Sequence, residues 1–196
     1  MQFVTAHLRG VSNMSHSRQH RIEMKEKESH DAYEKRTWLE KLHYDEKTGE
    51  AFVPPMALKM ALAEAAKFRG EQIPGKGKAT YTKHFEAGVL CMDPMMLGIQ
   101  KADIKGEWIN ANSDGVRGSG KRVQRCFPCI PSGWTGAAKF IILDDTITAD
   151  VFERVLKEAG QFIGLGRFRP RNGGFYGRFV VDRIEFADAE KMAEAA

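Results

Sequence analysis

A chain of 196 residues with 42% hydrophobic and 29% charged residues is long enough to bury a core without disulfides or a metal, and its apolar runs fall far short of the roughly 20 residues that span a bilayer, which excludes a transmembrane reading. The first residues, Met-Gln-Phe-Val-Thr-Ala-His, lack the basic flank and apolar block of a signal peptide, so a cytoplasmic protein with reduced thiols and no membrane partner is expected. A net charge of +4 is modest, so any polyanion must be held by local patches and not by a global field.

Residues 3–11 are rich in strand formers and stop at Ser12-Asn13, which reads as a first strand. Residues 15–36 turn polar and mixed in charge, with His16, His20 and His30 scattered through them; this is an insertion or mobile arm. Residues 37–45 alternate between apolar and polar, 46–49 form a turn, and 50–53 return, predicting a β-hairpin that ends at Pro54-Pro55. Proline at the first helical position then opens a helix over 56–68, composed of strong helix formers and closed at Gly70. A basic connector at 76–83 leads to an expected strand at 84–92. Residues 106–136 form a glycine-punctuated, mostly basic insertion, and 139–143 read as a strand. Thr148 or Asp150 then caps a helix whose apolar face is Val151, Phe152, Val155, Leu156 and Ala159. A last strand spans 177–186, and the Ala/Glu tail at 187–196 is expected to fray. Strand, helix, strand, repeated twice, predicts an α+β fold: a ferredoxin-like (RRM-like) split βαβ core in a single domain, with insertions at about 12–53 and 106–136.

Residues 164–179, Gly-Leu-Gly-Arg-Phe-Arg-Pro-Arg-Asn-Gly-Gly-Phe-Tyr-Gly-Arg-Phe, combine backbone freedom, positive charge without a carboxylate, and aromatic rings. Arg167, Arg169, Arg171 and Arg178 can follow phosphates, while Phe168, Phe175 and Tyr176 can stack on bases; that mixture suits single-stranded nucleic acid. The bland alternative is a glycine-rich hairpin with solvated arginines.

Several segments resemble the RAMP superfamily of CRISPR-associated RNA-binding proteins, and most of all the backbone subunits of multi-subunit CRISPR effector complexes. Ala-His-Leu-Arg-Gly-Val-Ser-Asn-Met-Ser at 6–15 is similar to the family's first strand running into a loop. Glu-Ala-Phe-Val-Pro-Pro-Met-Ala-Leu-Lys at 50–59 resembles its entry to the first helix, and 159–166 with 173–179 resemble its C-terminal glycine-rich loop and last strand. The resemblance implies a thumb-like hairpin inserted between the second and third core strands that presses on bound RNA. Carried onto this chain, the thumb is 106–136, where Arg117, Lys121, Arg122 and Arg125 gather. Two departures stand out: the chain is shorter than a typical backbone subunit, and the arm at 15–36 has nearly balanced charge.

Three competing chemistries are weaker. Gly-Val-Arg-Gly-Ser-Gly-Lys-Arg at 115–122 nearly spells a phosphate-binding P-loop, but Arg122 stands where a Ser or Thr must reach Mg²⁺. Cys126-Phe-Pro-Cys129 has the spacing of a redox pair or of half a zinc site, but it sits among prolines and glycines with only Cys91 and scattered histidines to complete a metal site, so two reduced thiols in a hairpin are expected. Metal-independent ribonucleases of the same superfamily use a general acid or base, and His7, His16 and His20 are the candidates by position.

The expectation is therefore a binding module and not an enzyme, with no cofactor and no metal. It takes single-stranded RNA of guide type, or single-stranded DNA, through Arg18, Arg21, Arg117, Lys121, Arg122, Arg125, Arg167, Arg169, Arg171, Phe175, Tyr176 and Arg178, and assembles with copies of itself or related effector subunits in antiviral defence. The alternatives are an endoribonuclease of the same fold, or an effector-subunit mimic that blocks CRISPR assembly.

Overall fold

The computed structural model describes residues 1–112 and 121–188. In chain order these form β1 (Gln2–Gly10), β2 (Met14–Ser15), α1 (His30–Thr37), β3 (Glu50–Val53), α2 (Pro55–Arg69), α3 (Thr82–Gly88), β4 (Val89–Leu90), β5 (Met95–Gln100), β6 (Lys105–Asn112), β7 (Arg122–Ile130), β8 (Thr135–Ile142), α4 (Ala149–Glu158) and β9 (Phe179–Asp188). The protein has an α+β fold with antiparallel sheets.

The core sheet has the order β4-β8-β1-β9, every neighbour antiparallel. With β1, β4, β8 and β9 as its four strands and α2 and α4 as the crossovers, this is the split βαβ arrangement that the order of elements predicts. Side chains alternate along β1: Val4, Ala6 and Leu8 are buried, while Phe3, Thr5 and His7 lie on the opposite face. The buried face meets Leu58, Leu62 and Ala65 of α2 and Val151, Phe152, Val155 and Leu156 of α4. The Phe152 ring stands 5.4 Å from Phe140 and 6.3 Å from Phe85, centroid to centroid. Thr148 caps α4 by accepting from the Val151 amide, and Gly70 ends α2 in the left-handed conformation.

Two elements differ from their sequence expectation. Residues 84–88 are helical, not extended, because Phe85 and Gly88 fall one helical turn apart and both face the core. A Cβ on Gly88 would stand 2.5 Å from Asp144 Cβ, so the close approach of this helix requires glycine. Only Val89 and Leu90 of the expected strand reach the sheet. The hairpin over 37–53 keeps its turn and two of its cross-links, Asp45 N–H to Glu50 O and Phe52 N–H to His43 O. Its first arm is a 3₁₀ turn at Trp38–Lys41, and β3 pairs with the distant β5.

The segment at 15–36 is anchored at both ends and not a free arm. Met14 and Ser15 pair with Ile130 and Cys129, the His16 amide donates to Pro128 O, and the Arg18 amide donates to Lys41 O. At its far end α1 is capped by Ser29 and sinks Glu34 to 1% exposure. Within 106–136 lies the antiparallel hairpin β6–β7, in register from Lys105 against Cys129 to Asn112 against Arg122. Thr135 and Gly136 already belong to β8. The tail expectation lies outside the described residues from 189 onward; 187 and 188 are strand.

Candidate nucleic-acid interface

The glycine-rich segment at 164–178 folds into a closed, hydrogen-bonded loop. The Leu165 amide donates to Gly177 O, the Tyr176 amide to Phe168 O, and the Gly177 amide to Asn13 O. Added Cβ atoms would stand 1.8 Å from Phe168 O at Gly174 and 1.8 Å from Leu165 O at Gly177, and Gly177 has φ +71°. Glycine is there so that the loop can pack on its own backbone. One consequence is that the four arginines diverge. Arg169 pairs with Glu64 at 3.0 Å, Arg178 donates to Gln161 O at 2.8 Å, Arg171 is exposed, and Arg167 turns toward the β6–β7 hairpin. Phe175 is exposed, whereas the Tyr176 hydroxyl donates to Glu107 at 2.8 Å; burial and that carboxylate push it up to about 12.

Arg167 lines a groove of about 430 Å³ with Arg18, His20, Glu34, Lys41, Arg125 and Phe127. Its guanidinium carbon lies 3.9 Å from the Phe127 ring centroid and 4.8 Å from that of Phe168, interactions worth about 1 kcal/mol each when partly desolvated. It has no carboxylate partner among the described residues, its Nε is buried without a hydrogen bond, and burial lowers its pKa from the usual value. Lys41 Nζ sits 4.6 Å from the same Phe127 centroid. Glu34 ties the other cations down: its carboxylate accepts from Lys41 Nζ, from Arg125 Nη1 at 3.1 Å and from the Cys126 amide at 2.7 Å. Burial opposes its ionisation, and those bonds overcome it, so the carboxyl stays below its usual range. Arg18 packs over Tyr44, 5.5 Å from the ring centroid, with Glu46 at 3.9 Å.

Of the residues named from sequence, Arg18, Arg125 and Arg167 thus meet in one groove with His20, although they come from three separate parts of the chain. Arg21 is exposed on the arm, and Lys121 and Arg122 are exposed at the start of β7. Arg117 lies outside the described residues. Sequence reasoning did not find Lys41, Glu34 or Phe127. Phe127 sits inside the Cys-Phe-Pro-Cys segment, two residues from Arg125, where strand alternation offers a signal; nothing local marks Lys41.

His7 lies on the open face of the core sheet beside Glu185 at 3.7 Å and Arg183 at 3.4 Å. On the same face Arg9 makes a bidentate pair with Asp182 at 2.9 and 3.0 Å. His16 is 3% exposed, and burial followed by the neighbouring His43 lowers it to about 3. His20 has a buried Nδ1 without a partner among the described residues. The thiols of Cys126 and Cys129 are raised to about 11 by burial, and no cluster of three metal-ligating side chains occurs among the described residues. Most of the P-loop-like segment lies outside them. No helix of the described residues is long and apolar enough to cross a membrane.

No family model and no curated protein matches the chain. Solved structures do. A chain of the type III-B Cmr-beta complex bound to cognate target RNA aligns with TM-score 0.57 at 14% identity, covering 96% of this chain and 61% of that one. The protein thus spans about three-fifths of that chain's length. Cmr6 from Pyrococcus furiosus aligns with TM-score 0.52 at 12% identity, covering 92% of this chain and 99% of that one. The α+β fold that the resemblance implies is the fold observed, and the chain shares it with that chain of the type III-B Cmr-beta complex and with Cmr6.

Proposed function

We propose that the protein binds single-stranded RNA by its phosphates in the groove between the glycine-rich loop, the arm and the β6–β7 hairpin, as a non-catalytic subunit of a CRISPR-type RNA-guided assembly. The observation that carries this reading is Arg167. A half-buried guanidinium held on aromatic faces, without a carboxylate among the described residues, is prepared for an anion supplied from outside. Lys41, Arg125 and Arg18 enrich the same groove, and Glu34 neutralises only part of their charge. The similarity to a chain from a complex that holds target RNA supports the choice of RNA. Recognition through phosphates alone admits single-stranded DNA as well. Related effector subunits or further copies of the chain are the expected partners. Of the three candidate histidines, His16 is enclosed and His7 sits among ion pairs on another face, which leaves His20 as the one that lines the groove.

Fluorescence anisotropy with a labelled single-stranded RNA tests the site. Arg167→Ala is expected to weaken binding about tenfold and to flatten the slope of log K against log salt by about 0.7 for each phosphate that is no longer neutralised. Unchanged affinity and slope in the folded variant would remove the groove as the binding site.

A further inference from the structure

Two rings of the glycine-rich loop escape burial. Phe168 and Phe175 are 37% and 65% exposed, and Phe168 has φ +56°, in the left-handed region that a bulky side chain rarely adopts. The loop imposes that conformation: the Arg167 amide on one side donates to Ser15 O at 2.7 Å, and Phe168 O accepts from the Tyr176 amide at 3.0 Å. Such backbone strain persists only where the surrounding structure over-determines it, and it clusters at ligand sites. Here it does not serve to bury the ring. It sets the Phe168 ring 4.8 Å from the Arg167 guanidinium carbon, at the edge of the groove.

Tyr176 joins the two exposed rings. Its own ring stands perpendicular to both, 6.2 Å from Phe168 at 89° and 4.8 Å from Phe175 at 87°, centroid to centroid. Its hydroxyl lies 2.8 and 3.0 Å from the two carboxylate oxygens of Glu107, which ties it to β6. Held in this way, the half-buried tyrosine fixes the Phe175 ring, and that ring is open to solvent on the side away from it. Contact runs unbroken from the groove to this ring, from Phe127 through Arg167, Phe168 and Tyr176 to Phe175. Arg171, exposed and without an ion pair among the described residues, supplies a further cation in the same loop.

We infer that Phe175 is a stacking platform for an unpaired base of the strand whose phosphates occupy the Arg167 groove, and that Tyr176 is the residue that positions it. The inference rests on the RNA-binding reading above and adds a requirement for bases. An aromatic face takes any base, so this part of the attraction is independent of sequence; a base stacked inside a duplex has no free face, so the platform selects single strands. Phosphate contacts release counterions and stacking does not, which lets the two contributions be measured apart.

Fluorescence anisotropy with a labelled single-stranded RNA and with an abasic ribose-phosphate strand of equal length and charge tests the platform. Phe175→Ala is expected to weaken binding of the base-bearing strand about tenfold, to leave the slope of log K against log salt unchanged, and to leave the abasic strand's affinity as in the parent. Phe175→Trp should keep the affinity, and the introduced indole should lose fluorescence, beyond any change in the parent's own tryptophans, on adding the base-bearing strand and not the abasic one. In that background Tyr176→Phe, which releases the ring from Glu107, should lessen the quench at saturating RNA; an undiminished quench overturns the positioning role. Undiminished RNA affinity in Phe175→Ala, or a loss that the abasic strand shares, overturns the platform. Should the parent bind the two strands equally and with a salt slope that depends on Arg167, the groove stands and the platform falls. Failure to bind either strand overturns both readings.

Discussion

At His16, enclosure fixes the protonation state, and that has a consequence for stability. The imidazole takes its proton near 6.5 in the unfolded chain and only at about 3 in the folded one. Between those values the unfolded chain binds more protons, so stability falls as pH falls, by up to about 1.4 kcal/mol per pH unit from this group. His43, lowered by burial and by the Arg18 charge, acts in the same direction. Urea unfolding should show the midpoint dropping below pH 6.5, and His16→Phe, whatever its stability at neutral pH, should show a shallower drop; equal slopes would mean that His16 is not enclosed. Gly177 offers a second residue-scale test, since its φ is +71° and an added Cβ would strike Leu165 O. Gly177→Ala should cost about 3 kcal/mol or more, whereas Gly75→Ala, at φ +75° with open space around it, should cost about 1 kcal/mol. Chemical denaturation measures both, and similar losses would show that the closed loop contributes no packing of its own.

At the scale of elements, the arm is a small folded unit whose near end is held to the hairpin by the β2–β7 pairing and whose far end is latched there by one carboxylate. Within it, Arg36 forms a bidentate pair with Glu28 at 2.8 Å, and the Tyr33 hydroxyl donates to Ile22 O at 2.7 Å. The latch is Glu34, which reaches Lys41, Arg125 and the Cys126 amide. Removing its charge leaves two partly buried cations uncompensated. Glu34→Gln should therefore cost about 3 kcal/mol and expose the basic residues of the arm, Arg18, Arg21 and Lys25, to limited trypsin digestion. A variant as stable and as resistant as the parent would show that the latch does not hold the arm in solution.

Across the whole molecule, two surfaces compete for the role of nucleic-acid platform. The open face of the core sheet carries Arg9 and Arg183, but Arg9 is matched by Asp182 and Arg183 by Glu185. The groove beside the β6–β7 hairpin keeps Arg167 without a carboxylate among the described residues. Electrostatic attraction to phosphate follows the uncompensated charge. Arg9→Ala and Arg183→Ala should thus leave RNA affinity within about twofold of the parent, against the roughly tenfold loss for Arg167→Ala. Titration of the three variants at one salt concentration checks this, and a larger loss on the sheet face would move the binding surface there.

Local sequence determined β1, α2, α4 and β9, because each carries a periodic apolar face or a terminal signal that acts over a few residues: Pro55 and Gly70 around α2, and Thr148 before α4. Together with the strands expected at 84–92 and 139–143, of which the first reaches the sheet only at Val89 and Leu90, their order matches the core sheet. The glycines and arginines of 164–178 were legible as a special segment, and so was their chemistry. Their geometry was not, because Gly174 and Gly177 are required by oxygens of the same loop once it has closed. Only the tertiary structure decided that Arg169 and Arg178 are occupied within the protein, that Arg167 joins Arg18 and Arg125 in one groove, and that Lys41 and Glu34 complete it. The same holds for His16, whose polar neighbours in sequence suggest solvent, while pairing of Met14 and Ser15 with β7 draws it inside. Which charges remain free depends on long-range pairing between segments far apart in sequence, 105 residues for Arg169 and Glu64 and 173 for Arg9 and Asp182, and periodicity along the chain carries no information about such partners.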